Sequence, residues 1–382
     1  MKLFLIAGEP SGDRLGAALM AGLRTLVPDV SFAGVGGPLM EAEGLRSLFP
    51  MEELSVMGLA EVLPKYRALR RRMIQTAEAV VAEDPAALIT IDSPDFCLRV
   101  AHRARAERPG LRTIHYVAPS VWAWRPGRAA KMAKVIDHVL ALLPFEPPYM
   151  EAAGMTCDFV GHPVVGEALA SPAEAAAFRQ AQGIPTDAPL LLVLPGSRRG
   201  EVGRLGPRFG AALREVIAAR PDIRVVVPTV RGVAEMVTGM VKDWPGQPVV
   251  LADAAAKRAA FRAADGALAA SGTVSLELAA NRVPMVVAYD FNPVSRFIIW
   301  RLAKVNTVTL VNLVTDTRTV PELLGHDCRP EKIAPEVVKI LQPGPGREAQ
   351  LAAMDSCMDR LGRGGEPPGL RAARSVLGKL TA

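Results

Sequence analysis

The stretch from Ala267 to Tyr289, ALAASGTVSLELAANRVPMVVAY, constrains the fold most, because it reads as strand, tight loop, helix and strand in direct succession. Gly266 to Ala270 is a short apolar run of buried-strand type, and Val283 to Tyr289 is a second, rich in valine. Between them, Ser271-Gly272-Thr273 stands where a helix must begin. The free N–H groups and partial positive charge of a helix start suit a phosphate, and Gly272 leaves a ligand room to approach the backbone. Glu277 follows about one turn into the helix, within reach of ribose hydroxyls. On these residues alone, an ordinary capped helix of an α/β protein is the alternative.

The same alternation runs through both halves. Leu3 to Ala7 is a first strand, followed by GEPSGD and a helix with Leu15, Leu19 and Leu23 in period. A Gly-bearing turn after a first strand is a usual ligand position in an α/β sheet. It is not GxGxxG, and Glu9 and Asp13 would repel a pyrophosphate; sugar hydroxyls suit them better. Helix capping by Ser11 and Asp13 is the plainer alternative. Further strands are expected at Ser31–Val35, Ala86–Ile91, Arg112–Val117, Val135–Leu143 and Cys157–Val160. Ala86–Ile91 runs into Asp92-Ser93-Pro94-Asp95, at the carboxyl end of a strand, where parallel sheets hold ligands. Pro94 fits the first position of a helix, with Ser93 as its N-cap.

Prolines at 163, 172, 185 and 189 mark a junction near residue 165. The pattern then restarts with Leu190 to Leu194, followed by Gly196-Ser197-Arg198, where Arg198 is placed to meet a diphosphate. Ile223–Val227 and Val249–Leu251 continue it. Strands alternating with helices in both halves predict an α/β protein with two Rossmann-like, doubly wound parallel sheets facing a cleft. The expected division is an N-terminal domain over 1–165, a C-terminal domain over 166–350, and a tail over 351–382 packing back on the N-terminal domain, with a helix from Leu370 to Leu380.

With 382 residues, 50% hydrophobic and 22% charged, the chain has enough apolar material for large cores and is not of disordered type. Cys97, Cys157, Cys328 and Cys357 lack CxxC spacing, which argues against a disulfide framework or zinc site, and the five histidines form no HExxH pair. Met1-Lys2 leads straight into the first strand, so no signal peptide is expected, and no apolar run reaches membrane-span length. The formal charge of +6 favours acidic partners, but no nucleic-acid motif accompanies it.

An anionic membrane surface fits that charge. Met51 to Leu63 is largely apolar and is followed by Lys65, Arg67, Arg70, Arg71 and Arg72. An apolar segment beside a basic helix is the pattern of a surface-binding membrane element, with core packing and a solvated face as the alternative. Phe297 to Leu302 is equally apolar and needs its own core, a second copy of the chain in a homodimer, or a bilayer to cover it. Trp122, Trp124, Arg125 and Arg128 cluster in a loop, where such residues bind sugars, phosphates and lipid chains or pack as staples.

Taken in order, AGEPSGD (7–13), VGGPLMEAEG (35–44), LSVMGLAEVL (54–63), IDSPDF (91–96), TIHYVAPSVWAWRPGR (113–128), LPFE (143–146), FVGHPVV (159–165), LPGSRRGEV (194–202) and SGTVSLE (271–277) resemble the lipid-A-disaccharide synthase family along nearly the whole chain. That resemblance implies a GT-B-type enzyme joining UDP-2,3-diacylglucosamine to 2,3-diacylglucosamine 1-phosphate, with inversion. It implies a cytoplasmic protein held peripherally at the inner membrane of a Gram-negative bacterium. UDP is expected on Gly196, Ser197, Arg198, Ser271, Gly272, Thr273 and Glu277. Asn312, placed in a loop, matches a functional Asn of the family, though Val311 replaces its usual preceding Pro. Asp95 is expected as the base, with Glu9 as the rival and Arg198 assisting departure of UDP. No DxD triplet occurs, so neither a metal nor another cofactor is expected. Ser93, Arg199-Gly200 and Gly166 depart from the family's pattern. The competing readings are a peptidoglycan-precursor glycosyltransferase or UDP-sugar epimerase of the same architecture, and a non-catalytic binder of nucleotide sugars at the membrane.

Overall fold

The structure, a computed structural model, describes residues 1–54, 59–124, 127–291 and 305–380. It divides into two compact units, one of residues 1–166 with 364–382 and one of residues 167–363.

The first unit holds a parallel six-stranded sheet in the order β2-β1-β3-β4-β5-β6. Its strands are β1 (Lys2–Ala7), β2 (Ser31–Val35), β3 (Ala87–Ile91), β4 (Thr113–Tyr116), β5 (His138–Ala141) and β6 (Thr156–Phe159). The second unit holds another, ordered β12-β11-β10-β7-β8-β9, from β7 (Leu190–Leu194), β8 (Arg224–Pro228), β9 (Val249–Leu251), β10 (Gly266–Ala269), β11 (Met285–Tyr289) and β12 (Glu322–Leu324). Around the first sheet lie α1 (Pro10–Leu26), α2 (Pro38–Ala42), α3 (Leu59–Glu83), α4 (Pro94–Glu107), α5 (Gly127–Met132) and α6 (Pro147–Glu151). Around the second lie α7 (Pro172–Ala181), α8 (Arg199–Ala219), α9 (Ala234–Val241), α10 (Ala254–Ala263) and α11 (Val274–Ala280).

The unbroken apolar runs form these strands because helices cover both faces of each sheet. Strand β1 shows the sorting: Leu3, Leu5 and Ala7 pack with Leu15, Leu19 and Leu23 of α1, while Phe4 and Ile6 pack with Val80, Val100 and Ala101 on the opposite face. The side-chain period of two divides one apolar run between two cores.

The chain's last helix, Pro368–Leu380, returns to the first unit and lies along α1. A Cβ on Gly22 would stand 2.6 Å from the Gly369 carbonyl oxygen, and one on Gly369 2.4 Å from that of Ala18, so the two backbones meet where only glycine fits. His138 fixes the contact: its Nε2 lies 2.8 Å from Ser375 Oγ, whose hydroxyl donates to Asp158.

Three expectations need correction. The segment returning to the first unit is 364–382 rather than 351–382, because Pro345–Arg360 is a helix of the second unit, tied there by Gln350 accepting from Met285 N and Arg347 donating to the Asp265 carbonyl. Its Pro-Gly opening reads as a break, yet Pro sits at the first helical position, where no N–H is missed. Asn312 lies in a short helix, Leu310–Thr315, not a loop. Strand β12 carries no apolar run and was not expected.

Candidate functional site

In the second sheet the strand order reverses between β7 and β10, which are hydrogen-bonded neighbours. A doubly wound sheet opens a crevice beyond the carboxyl ends of two such strands. A cavity of about 390 Å³ lies there. The turn after β7 supplies Gly196, Ser197 and Arg198, the turn after β10 supplies Ser271, Gly272 and Thr273, and the first turn of α11 supplies Glu277. The structure thus brings into one pocket seven residues that the sequence has in two motifs more than seventy positions apart.

Gly196, at φ +116°, adopts a backbone conformation that glycine alone takes without strain. Gly272 opens on unfilled space, with no atom within 4 Å of a Cβ built there. Arg198 is the N-cap of α8, and its largely exposed guanidinium approaches Glu201 Oε1 at 3.4 Å. Glu201 is three residues into the helix start; its other oxygen accepts from Ser197 N at 3.3 Å, and Tyr289 Oη donates to Oε1 at 3.1 Å. Burial and the Glu201 carboxylate together hold the Tyr289 hydroxyl above its ordinary pKa. Glu277 pairs with Lys257 of α10 at 3.0 Å. Neither Glu201 nor Lys257 figured among the expected site residues. The spacing from Arg198 to Glu201 is that of a capping box and was available in the sequence; nothing in the sequence joins Lys257 to Glu277.

The first sheet reverses between β1 and β3, again neighbours. Glu9, half-buried, is the N-cap of α1 directly after β1. Asp92 and Ser93 follow β3 with φ of +52° and +43°, and exposed Asp95 stands in the first turn of α4. Both base candidates therefore flank the switch point of the first sheet. Ser93 is the N-cap, as its position before Pro94 suggests, but its side chain caps nothing. A left-handed residue cannot aim its hydroxyl along the helix axis as an extended cap does, and Oγ lies instead over Gly8.

Asp13 is not a sugar ligand in this arrangement. It is 3% exposed and its carboxylate accepts from Gly37 N, Leu39 N and Met40 N at 2.9–3.0 Å, capping the start of α2 rather than of its own helix. Asn312 is also apart from the pocket: fully buried, it donates to Thr307 Oγ1 and the Val320 carbonyl and accepts from Val320 N. Those bonds fix the chain entering and leaving its short helix.

Trp122 behaves as a staple. Its ring meets Phe145 edge-to-face with centroids 5.2 Å apart, and Nε1 donates to Glu146. Glu146 also accepts from Leu142 N and Leu143 N, and burial pushes its pKa up to about 7. Arg125 lies outside the described residues.

On α3 the basic residues divide into two kinds. Arg72 is held by Glu53 through two bonds of 2.6 and 2.8 Å and stacks over Phe49 at 4.5 Å. Tyr66, Arg67, Arg70 and Arg71 are exposed and line a shallow hollow. Met51 and Leu54, expected in an apolar surface segment, are buried in the first unit. The rest of that segment's side chains, and Phe297 to Lys304, lie outside what is described. Among the described residues no helix is long and apolar enough to cross a membrane, and no three His, Cys, Asp or Glu side chains form a metal-binding group.

Two doubly wound parallel sheets, each with candidate residues at its switch point, define an α/β fold of GT-B type. Solved structures share it. A UDP-GlcNAc 2-epimerase from Neisseria meningitidis, bound to UDP-GlcNAc, superposes with a TM-score of 0.65 at 12% identity, covering all of both chains. The UDP-GlcNAc 2-epimerase of Methanocaldococcus jannaschii, in complex with UDP-GlcNAc and UDP, gives 0.61 at 13%, again covering both chains fully. Such likeness speaks for the fold alone.

Sequence similarity narrows the class. Residues 3–363 match the family described as lipid-A-disaccharide synthetase. The lipid-A-disaccharide synthase of Ruegeria pomeroyi is 63% identical over 100% of this chain and 96% of its own length, and that of Rhodospirillum centenum is 53% identical over 99% and 94%. This chain belongs to the lipid-A-disaccharide synthase family, and it is a glycosyltransferase of lipid A biosynthesis.

Proposed function

We propose that the enzyme joins UDP-2,3-diacylglucosamine to 2,3-diacylglucosamine 1-phosphate with inversion at the donor's anomeric carbon, giving lipid A disaccharide 1-phosphate and UDP. The observation that carries this reading is the pocket beyond β7 and β10, which gathers Ser197, Arg198, Ser271, Gly272, Thr273 and Glu277. Two proteins of the same fold, the epimerases above, are described as binding UDP-GlcNAc.

In this reading the diphosphate meets Arg198 and the backbone of the two turns, and Glu277 accepts from the ribose. The acceptor's primary hydroxyl oxygen attacks the anomeric carbon while the bond from that carbon to the diphosphate oxygen breaks. Asp95 takes the hydroxyl proton, with Glu9 as the alternative base. The hydroxyl becomes acidic only as it attacks, so a well-positioned carboxylate serves. Arg198 stabilises the charge growing on the departing UDP, a task usually given either to a metal or to fixed cations and N–H groups. Here it falls to Arg198 and the N–H groups of the two turns, without metal or cofactor. Acyl chains keep both substrates at a membrane, and the exposed Arg67, Arg70 and Arg71 suit its anionic headgroups. The enzyme then works from the cytoplasmic face of the inner membrane.

The test is product formation from the two acylated substrates, together with UDP binding by Arg198→Ala. Removing a charged hydrogen-bond partner costs about 1.5–3 kcal/mol, a loss of roughly 10- to 100-fold in affinity. Parental UDP affinity in that variant would remove the donor assignment.

A further inference from the structure

We propose that Lys257 is a positioning residue for ribose recognition: it holds Glu277 in place and offsets its charge beside the donor's diphosphate. The inference rests on the donor-site reading above and deepens it.

A carboxylate is a good acceptor for two vicinal hydroxyls, but a poor neighbour for a diphosphate. This pocket contains two carboxylates, Glu201 and Glu277, where an anion is to bind. Each has its own cation: Glu201 faces Arg198, and Glu277 faces Lys257. Arg198 is largely exposed, with its side chain 62% accessible, and approaches Glu201 only at 3.4 Å, so it is free to turn to a ligand. Lys257 is built in more firmly. Its side chain is 30% accessible, its ammonium lies 3.0 Å from Glu277 Oε2, and the same ammonium stands 5.2 Å from the centroid of the Phe261 ring. Phe261, buried one turn further along α10, anchors that stack.

The consequence is orientational as well as electrostatic. With Oε2 engaged by Lys257, Glu277 keeps Oε1 for the ligand, and its rotamer is set before the ligand arrives. A free glutamate at this site would be repelled by the diphosphate and would lose rotamer freedom on binding ribose. The Lys257 pair reduces both costs, so its removal is felt most by ligands carrying the hydroxyl that Glu277 reads.

The experiment measures UDP and 2′-deoxy-UDP binding to the full-length protein by calorimetry, for the parent and for Lys257→Met, Lys257→Arg, Glu277→Gln and Arg198→Ala. The parent is expected to prefer UDP. Lys257→Met should weaken UDP about tenfold, as loss of one hydrogen bond to a charged group does, and should erase the preference over 2′-deoxy-UDP; Lys257→Arg should restore both. In turnover, Lys257→Met should raise the donor KM and leave kcat near the parental value. If Glu277→Gln weakens UDP while Lys257→Met keeps parental affinity and preference, Lys257 has no such role. If Arg198→Ala and Glu277→Gln both bind UDP as the parent does, the pocket is not the donor site, and this inference goes with it.

Discussion

Replacing Asp13 separates two roles that its motif leaves open. The carboxylate is buried and takes three backbone N–H groups at the start of α2, those from Gly37 and Met40 in buried surroundings and that from Leu39 partly buried. Each buried donor left without an acceptor costs about 1–3 kcal/mol. Asp13→Ala orphans all three, but it also removes a desolvated charge and leaves space that water enters, which places the loss near the low end of the sum, at about 3 kcal/mol. Asp13→Asn keeps one acceptor oxygen and should lose roughly half as much. The measurement is urea unfolding followed by tryptophan fluorescence in a Trp244→Phe, Trp300→Phe background, which leaves Trp122 and Trp124, both in the first unit, as the reporters. A sugar-binding role predicts the opposite pattern. If Asp13→Ala unfolds within 1 kcal/mol of its background while turnover collapses, the reasoning is wrong and Asp13 belongs to the substrate.

Asp95→Asn should lower kcat by roughly 10²–10⁴ with UDP affinity intact; near-normal turnover beside a large loss in Glu9→Gln would move the base to Glu9. His115, His138 and His162 are each pushed down to about 4 by burial, while burial raises Glu146 to about 7. Between pH 6.5 and 4.5 unfolding therefore takes up protons on the three histidines and releases one from Glu146, a net uptake somewhat below two, so stability should fall on acidification by about 2 kcal/mol per pH unit, and a flat urea midpoint across that window would contradict it. Replacing Arg67, Arg70 and Arg71 by Ser should reduce co-sedimentation with anionic vesicles at low salt, and the difference should shrink as salt screens it over about 8 Å at physiological ionic strength. Unchanged sedimentation would clear this face of α3; Arg72 is left in place because it binds Glu53.

Much of the fold was legible because some segments have only one place to go. Ser31–Val35, Leu190–Leu194 and Val249–Leu251 have the bounds expected of them. Short apolar runs next to Gly or Pro suit strands better than helices, and alternating them with helices leaves little but parallel sheets. That the two turns would share a pocket was legible because each follows such a strand, and the topology itself brings strand ends together. What stayed hidden depends on contacts between segments. Asp13 sits in a helix start but caps another helix, and a local motif cannot show that. Asn312 is polar amid apolar neighbours, which suits a ligand contact and an internal tie equally. Arg72 resembles its basic neighbours until Glu53 and Phe49 single it out. Strand β12 carries no apolar run to announce it, and it forms because β11 offers it a parallel edge.

The return of Pro368–Leu380 to the first unit has a consequence for biogenesis. Ala372, Ala373 and Val376 complete the face of the core to which Leu19 and Leu23 belong. A ribosome adding about 5–20 residues per second needs roughly 10–40 s to translate the intervening residues 167–363. Throughout that interval the first-made half of the protein carries an uncovered apolar stripe along α1, while the half made after it already has every residue of its own core. The order of synthesis is thus the reverse of the order of completion. Nascent chains stalled shortly before residue 368 should be the ones that recruit chaperones through α1.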